Sequence, residues 1–145
     1  MVFEKMGEVD FICAAGLTAS PTRAAKVRGR NIQLETPAEI IAKKICYRGA
    51  SMQPRDMFDM ACVTTVLGVE YAVNALSPFK EECRKALSVA RRMDPQFAEA
   101  VMTNLLYRDR FSDVPRHAQA MTIELLETVS APSDGISDPC DCSPD

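Results

Sequence analysis

The stretch Glu35–Met60, E-T-P-A-E-I-I-A-K-K-I-C-Y-R-G-A-S-M-Q-P-R-D-M-F-D-M, decides how the chain folds. Thr36 and Glu39 form a T-x-x-E capping box with Pro37 at the first helical position, so a helix is predicted to begin here. Gly49 is predicted to end this helix. A second helix follows, and no other stretch places so many charges among apolar residues at helical spacing. We therefore take this helix pair as the functional centre.

Charged side chains of the two predicted helices are placed to meet. Lys44 borders the buried stripe of the first helix, and Asp56 and Asp59 lie three residues apart near the start of the second. The connection between the helices is short, so they should pack as neighbours and bring Lys44 and Arg48 near both carboxylates. A functional site and a salt-bridge network joining two helices both fit this pattern. A helix-capping role also fits Asp56.

The length of 145 residues predicts one domain, and the content of 47% hydrophobic and 26% charged residues is ordinary for a globular protein. The sequence has no apolar run of about 18 residues, so no membrane association is expected. The N-terminus lacks the basic start and apolar core of a secretory signal. These features predict a cytoplasmic protein.

The order of patterns along the chain predicts an α+β fold, with a short sheet followed by a mostly helical bundle. Residues 1–35 are expected to form strands and loops and residues 36–130 helices, together making a single domain over 1–130. Residues 131–145, rich in Ser, Pro and Asp, are expected to be a disordered acidic tail. One short strand is predicted over 8–14 and another at Ile32 and Leu34.

Asp10 lies in the middle of the first predicted strand, E-V-D-F-I-C-A. A carboxylate there is costly to bury unless it is paired, hydrogen-bonded or bound to a metal. A metal ligand and an edge-strand aspartate facing water are both open interpretations.

The charges are unevenly distributed along the chain. Residues 1–116 carry all 17 Lys and Arg against 14 acids, whereas residues 117–145 carry six acids and no Lys or Arg. Eight of the cations are clustered between residues 23 and 55. A basic cluster of this kind favours an anionic partner, either a nucleotide or an RNA backbone, although a solvated surface fits equally well. The clustered cations are Arg23, Lys26, Arg28, Arg30, Lys43, Lys44, Arg48 and Arg55.

The six cysteines do not form the pattern of a disulfide framework. Cys13, Cys46, Cys62 and Cys83 lie in apolar stretches, where a free thiol behaves as a small hydrophobic side chain. Cys140 and Cys142 form a single C-x-C in the tail, which is a weak metal signal without a second pair.

The blocks E-V-D-F-I, L-E-T-P-A-E-I-I-A-K-K and P-R-D-M-F-D, in that order, resemble the nucleotidyltransferase toxins of the abortive-infection AbiEii/AbiGii family. The resemblance covers about residues 7–67. It implies a nucleotidyltransferase-type sheet, Mg²⁺-dependent transfer of a nucleotide from an NTP to RNA or another acceptor, and an antitoxin as partner. By position, Asp10 matches a metal-binding carboxylate, and Lys44, Arg55, Asp56 and Asp59 match the catalytic residues of the downstream helix pair.

The chain departs from the family pattern in one respect. It contains no Gly-Gly or Gly-Ser pair and no D-x-D or D-x-E, which in the family position the phosphates and the first metal ion. The resemblance therefore implies the C-terminal portion of such an enzyme. Three hypotheses follow: a transferase completed by another chain, an inactive remnant that binds an antitoxin or a full-length relative, or a plain helical domain.

Overall fold

The computed structural model describes residues 2–3, 7–8 and 14–131 of the chain. Within these ranges, a pair of small antiparallel sheets precedes a helical body, so the fold is α+β. β1 (Val2–Phe3) pairs with β2 (Gly7–Glu8), and β3 (Thr22–Val27) pairs with β4 (Arg30–Glu35). Residues 9–13 of the predicted first strand, Asp10 among them, lie outside the described residues, as do residues 132–145 of the predicted tail.

The hairpin β3–β4 confirms the predicted strand at Ile32 and Leu34 and adds a strand that the sequence did not predict. Residues 23–27, R-A-A-K-V, have weak strand propensity, and their pairing with β4 sets their conformation. The turn residues Arg28 and Gly29 both have positive φ, 48° and 80°, as a two-residue hairpin turn of the primed type requires.

Six α-helices form the body in the described residues. Proline occupies the first turn of several of them, where its missing N–H costs no hydrogen bond. None of these helices is long and apolar enough to cross a bilayer. In chain order they are α1 (Pro37–Arg48), α2 (Pro54–Leu67), α3 (Val69–Leu76), α4 (Lys80–Arg92), α5 (Pro95–Thr103) and α6 (Val114–Ser130).

The start of α1 confirms one half of the predicted capping box. The Thr36 hydroxyl accepts a hydrogen bond from the Glu39 N–H at 3.3 Å. The second predicted hydrogen bond, from the Thr36 N–H to the Glu39 carboxylate, is wrong. The Thr36 N–H donates to the Pro21 carbonyl instead, and the Glu39 side chain turns to the loop at 17–18. A tertiary contact has therefore taken the carboxylate that local capping would have used.

Gly49 ends α1 as predicted, but not by a left-handed conformation, because its φ is −52°. It begins a 3-10 turn that lies against α4. A Cβ at this position would be 3.3 Å from the Glu82 carbonyl oxygen and 3.4 Å from the Ala86 Cβ. The glycine is thus needed for the close approach of the α1–α2 connection to α4.

The helix after Asp94 is shorter than predicted. We expect from the sequence that it continues to about Tyr107, but α5 ends at Thr103. The chain then turns, and the Tyr107 ring packs against Phe58 of α2 with 5.3 Å between ring centroids. Aromatic burial against the neighbouring helix replaces a further helical turn.

The core lies between α6 and the helices α2, α4 and α5, and α1 closes it from the side of α3 and α4. The buried apolar stripe of α1 is Ile41, Ala42 and Ile45. One buried hydroxyl, that of Thr122, donates to the Met57 carbonyl of α2 at 3.3 Å. The largest fully buried apolar side chains are Ile41, Ile45, Met57, Met60, Leu76, Met102, Leu125 and Leu126.

Three of the cysteines lie in the described residues as free thiols. Cys83 is buried in the core as predicted, Cys62 is partly buried against the core, and Cys46 is half-buried. Burial raises the pKa of Cys62 to about 11 and that of Cys83 to about 12, so both are protonated thiols at neutral pH. Cys13, Cys140 and Cys142 lie outside the described residues.

Candidate functional site at the α1–α2 helix pair

The amino group of Lys44 lies between two carboxylates of α2. Its Nζ is 2.8 Å from Oδ1 of Asp56 and 2.8 Å from Oδ2 of Asp59. Lys44 follows the buried stripe of α1, so its aliphatic stem crosses the helix interface and only 16% of the side chain is exposed. The structure therefore brings together three of the residues singled out in the sequence.

Asp56 is the buried member of this charge cluster, with 1% of its side chain exposed. Its Oδ2 accepts a hydrogen bond from the Gln53 N–H at 3.0 Å and lies 3.2 Å from the guanidinium of Arg48. The carboxylate thus caps the N-terminus of α2 and also pairs with two cations of α1. The capping and ion-pair interpretations of Asp56 hold at the same time.

Asp59 and Arg55 lie at the edge of the cluster. Asp59 is 48% exposed, so its ion pair with Lys44 is open to water. Arg55 is exposed and makes no hydrogen bond or ion pair with any other described residue of the chain. Adjacent residues of an α-helix point about 100° apart. Asp56 therefore points inward while Arg55 points outward, and Arg55 does not join the charge cluster.

A cavity of about 350 Å³ lies beside this cluster, at the C-terminal half of α1. Its lining places three cations around one carboxylate and one aromatic ring. Tyr47 is 60% exposed, which is unusual for a large aromatic side chain. Tyr47 was not among the residues predicted from the sequence, although its position three residues after Lys44 is a usable signal. The lining residues are Ala14, Glu35, Lys43, Lys44, Tyr47 and Arg48.

A larger cavity of about 480 Å³ lies between the loop at 17–20 and α3. No charged side chain lines it, and its polar groups are hydroxyls and the amide of Asn74. The smaller cavity is therefore better suited to an anionic ligand, because favourable electrostatics require the cations to face the ligand.

Lys43 joins the end of β4 to α1. Its Nζ is 2.5 Å from Oε1 of Glu35 and 3.3 Å from Oε1 of Glu39. The hydrogen bond to the Glu35 carboxylate raises the pKa of Lys43, so the lysine stays charged. This pair fixes the base of the hairpin against the cavity.

Glu39 is a second buried carboxylate, and the sequence did not predict its role. Its side chain is fully buried and accepts hydrogen bonds from the N–H groups of Leu17 and Thr18 and from the Thr18 hydroxyl, at 2.7–3.1 Å. Burial alone would raise the pKa of Glu39, but these hydrogen bonds and the one from Lys43 outweigh it and lower the pKa. Glu39 thus holds the loop at 17–18 against α1 as a carboxylate anion.

The described residues do not fit the Mg²⁺ site that the resemblance implies. Among them no group of three or more His, Cys, Asp or Glu side chains is arranged to hold a metal ion. Asp56 and Asp59 share the ammonium of Lys44, and Asp56 also pairs with Arg48, so two cationic side chains already balance the two carboxylates without a metal ion. Asp10, which the resemblance assigns to the metal, lies outside the described residues.

No protein-family model, curated protein or solved structure matches the chain.

Proposed function

We propose that this chain is a nucleotidyltransferase-family protein, similar to the AbiEii/AbiGii toxins, that binds a nucleotide in the cavity at the C-terminal half of α1. This proposal is supported most directly by one observation: Lys43, Lys44 and Arg48 line one cavity beside the exposed ring of Tyr47. The resemblance assigns the downstream lysine of the family to this same position, Lys44.

The cationic side of the cavity supplies contacts for phosphate oxygens. Lys44 is anchored by the buried Asp56, whereas its second partner, Asp59, is half exposed. A phosphate can therefore replace Asp59 at the ammonium without exposing a buried charge. Arg48 offers a second donor, since only one of its terminal nitrogens faces Asp56 at 3.2 Å. A nucleotide triphosphate fits this charge pattern better than a neutral ligand does.

The aromatic side of the cavity supplies a contact for the base. Tyr47 lies one turn of α1 from Lys43, on the face that lines the cavity. An exposed tyrosine ring stacks on a nucleobase with little selectivity among bases, because every base has a π-face. This arrangement supports nucleotide binding and leaves the identity of the base open.

We propose that this polypeptide alone does not transfer the bound nucleotide. Its sequence has neither the Gly-Gly/Ser turn nor the D-x-D motif of the family, and Lys44 and Arg48 together neutralise the Asp56–Asp59 pair. Transfer to RNA or another acceptor, and with it a toxin role opposed by an antitoxin, requires those groups from another polypeptide. Asp56 serves here as a positioning residue for Lys44 and Arg48.

The variant Lys44→Met tests nucleotide binding. We expect it to weaken the binding of ATP by about tenfold or more, since a charge-assisted phosphate contact is lost. Tyr47→Ala should also weaken binding but leave the melting temperature nearly unchanged, because the ring is exposed. Isothermal titration calorimetry with ATP, with and without Mg²⁺, measures both effects.

Lys85→Met is the matched control, since Lys85 is exposed on α4 and does not line the cavity. If Lys44→Met changes only thermal stability and keeps the affinity for ATP, the cluster is a helix–helix salt bridge and the nucleotide site is refuted. We expect no incorporation of labelled NTP into RNA or protein by the wild-type chain alone. If the wild-type chain does incorporate labelled nucleotide and Lys44→Ala abolishes that incorporation, the proposal that this chain alone transfers no nucleotide is refuted.

A further inference from the structure

The hairpin β3–β4 holds the excess positive charge of the described chain. Residues 22–35 carry four cations and one carboxylate, Glu35, which is paired with Lys43. The helical body at 36–131 carries twelve Lys and Arg and twelve Asp and Glu, so it is formally neutral. None of the four hairpin cations makes a hydrogen bond or ion pair within the described residues. They are Arg23, Lys26, Arg28 and Arg30.

One face of the hairpin combines arginines with exposed aliphatic side chains. The register pairs Arg23 with Leu34, Ala25 with Ile32 and Val27 with Arg30, and alternation places all six side chains on the same face. Val27, Ile32 and Leu34 rank among the exposed large hydrophobic residues of the described chain. An isolated two-stranded hairpin with such a face is marginally stable in water unless something covers it.

The backbone of the hairpin has open edges. Among the described residues β3 pairs only with β4, so each strand has one outer edge without a partner strand. In a hairpin with a two-residue turn, the pair next to the turn is hydrogen-bonded, so alternate residues direct their N–H and C=O outward. On β3 these include Ala24 and Lys26, and on β4 they include Asn31 and Gln33. Such edges accept an added strand.

The chemistry of the hairpin selects the occupant. No residue of 22–35 is aromatic, so the hairpin lacks the stacking surface by which proteins bind single-stranded RNA. A second copy of this chain would bring four more cations against the same surface. An acidic protein segment satisfies both the charge and the apolar stripe. The β3 edge suits it best, because β3 carries two cations and no carboxylate, whereas β4 carries one cation and Glu35.

We propose that the β3 edge of the hairpin binds an extended acidic segment of another protein by strand addition. Alternate apolar side chains of that segment cover Val27 and Ile32 on one face of the hairpin. The carboxylates between them lie on the opposite face, where they pair with Lys26, and Arg28 at the turn adds to the positive charge. Main-chain hydrogen bonds supply affinity and the alternate side chains supply specificity, as in other cases of strand addition. This inference does not depend on nucleotide binding at Lys44.

Fluorescence anisotropy with the full chain tests the proposal. The probe is a fluorescein-labelled peptide of four Glu-Val repeats, and a peptide of four Lys-Val repeats is its charge control. We expect saturable binding of the acidic peptide alone. Ala24→Pro, which removes an outward N–H of β3, should weaken it about tenfold, whereas the matched variant Gln33→Pro on β4 should keep it. Lys26→Glu should also weaken it, and Lys85→Met on α4 should leave it unchanged.

Three results would overturn the proposal. The first is binding that Ala24→Pro and Lys26→Glu leave unchanged, with circular dichroism showing that both variants are folded. The second is tighter binding of a fluorescein-labelled oligouridylate, lost in Lys26→Glu, which would identify RNA as the occupant. The third is peptide binding only after the four aspartates of 132–145 are changed to asparagine, which would identify the chain's own acidic segment.

Discussion

Asp56→Ala is expected to lower the free energy of unfolding by about 3 kcal/mol. The carboxylate is 1% exposed and pairs with Lys44 at 2.8 Å and with Arg48 at 3.2 Å. Its removal leaves the largely buried Lys44 and the half-buried Arg48 without their shared partner, and the Gln53 N–H loses its acceptor. Guanidinium unfolding at neutral pH, followed by circular dichroism, measures the loss.

The neighbouring variant Asp59→Ala is the control for this prediction. Asp59 contacts the same ammonium at the same distance, but it is 48% exposed, so its loss should cost no more than about 1 kcal/mol. Asp56→Asn should fall between the two, because the amide oxygen can still accept from the Gln53 N–H. Equal losses for Asp56→Ala and Asp59→Ala would show that burial does not separate the two carboxylates.

Glu39→Ala is expected to cost about 2–3 kcal/mol at neutral pH and to release the loop at 17–18 from α1. The substitution leaves the Leu17 N–H, the Thr18 N–H and the Thr18 hydroxyl without their common acceptor. Chemical unfolding measures the stability, and trypsin or proteinase K digestion followed by mass spectrometry measures the release of the loop. Glu35→Ala is the control, because Glu35 shares Lys43 but is partly exposed.

The contribution of Glu39 to the free energy of unfolding should disappear in acid. The folded-state pKa of Glu39 lies below its ordinary value of 4.5, so the anion stabilises the fold above that value. As the pH falls through the folded-state pKa, the anion is protonated and its stabilisation is lost. The difference in stability between wild type and Glu39→Ala should therefore narrow below about pH 4.5. A difference that is constant from pH 7 to pH 3 would contradict this assignment.

The helices were predictable where local chemistry determines their ends. Thr36 and Pro37 begin α1, Pro54 begins α2, and Gly68 ends α2 with a φ of 90°. The strand at 23–27 was not predictable, because its alanines and cations have no alternating apolar pattern and its conformation depends on β4. The early end of α5 likewise depends on a tertiary contact, that of Tyr107 with Phe58.

In the candidate site, too, the contacts between residues close in sequence were predictable and those between distant residues were not. The meeting of Lys44, Asp56 and Asp59 followed from helical spacing and a short connection. The anchoring role of Glu39 did not, because its partners lie 21 and 22 residues earlier in the chain. For Tyr47 the spacing from Lys44 indicates a position near the cluster, but a tyrosine at helical spacing is more often a core residue, and its exposure is known only from the structure.

The amide proton–nitrogen correlation spectrum of the full chain, titrated with ATP and Mg²⁺, tests the central claim most directly. Nucleotide binding at the cavity predicts saturable shifts concentrated at residues 43–48 and 55–59, where the cavity and its supporting carboxylates lie. The same titration of Lys44→Met should need about tenfold more ATP, or more still, to reach the same shifts. No shift at saturating ATP, or shifts confined to the basic hairpin at 22–35, would contradict nucleotide binding at α1.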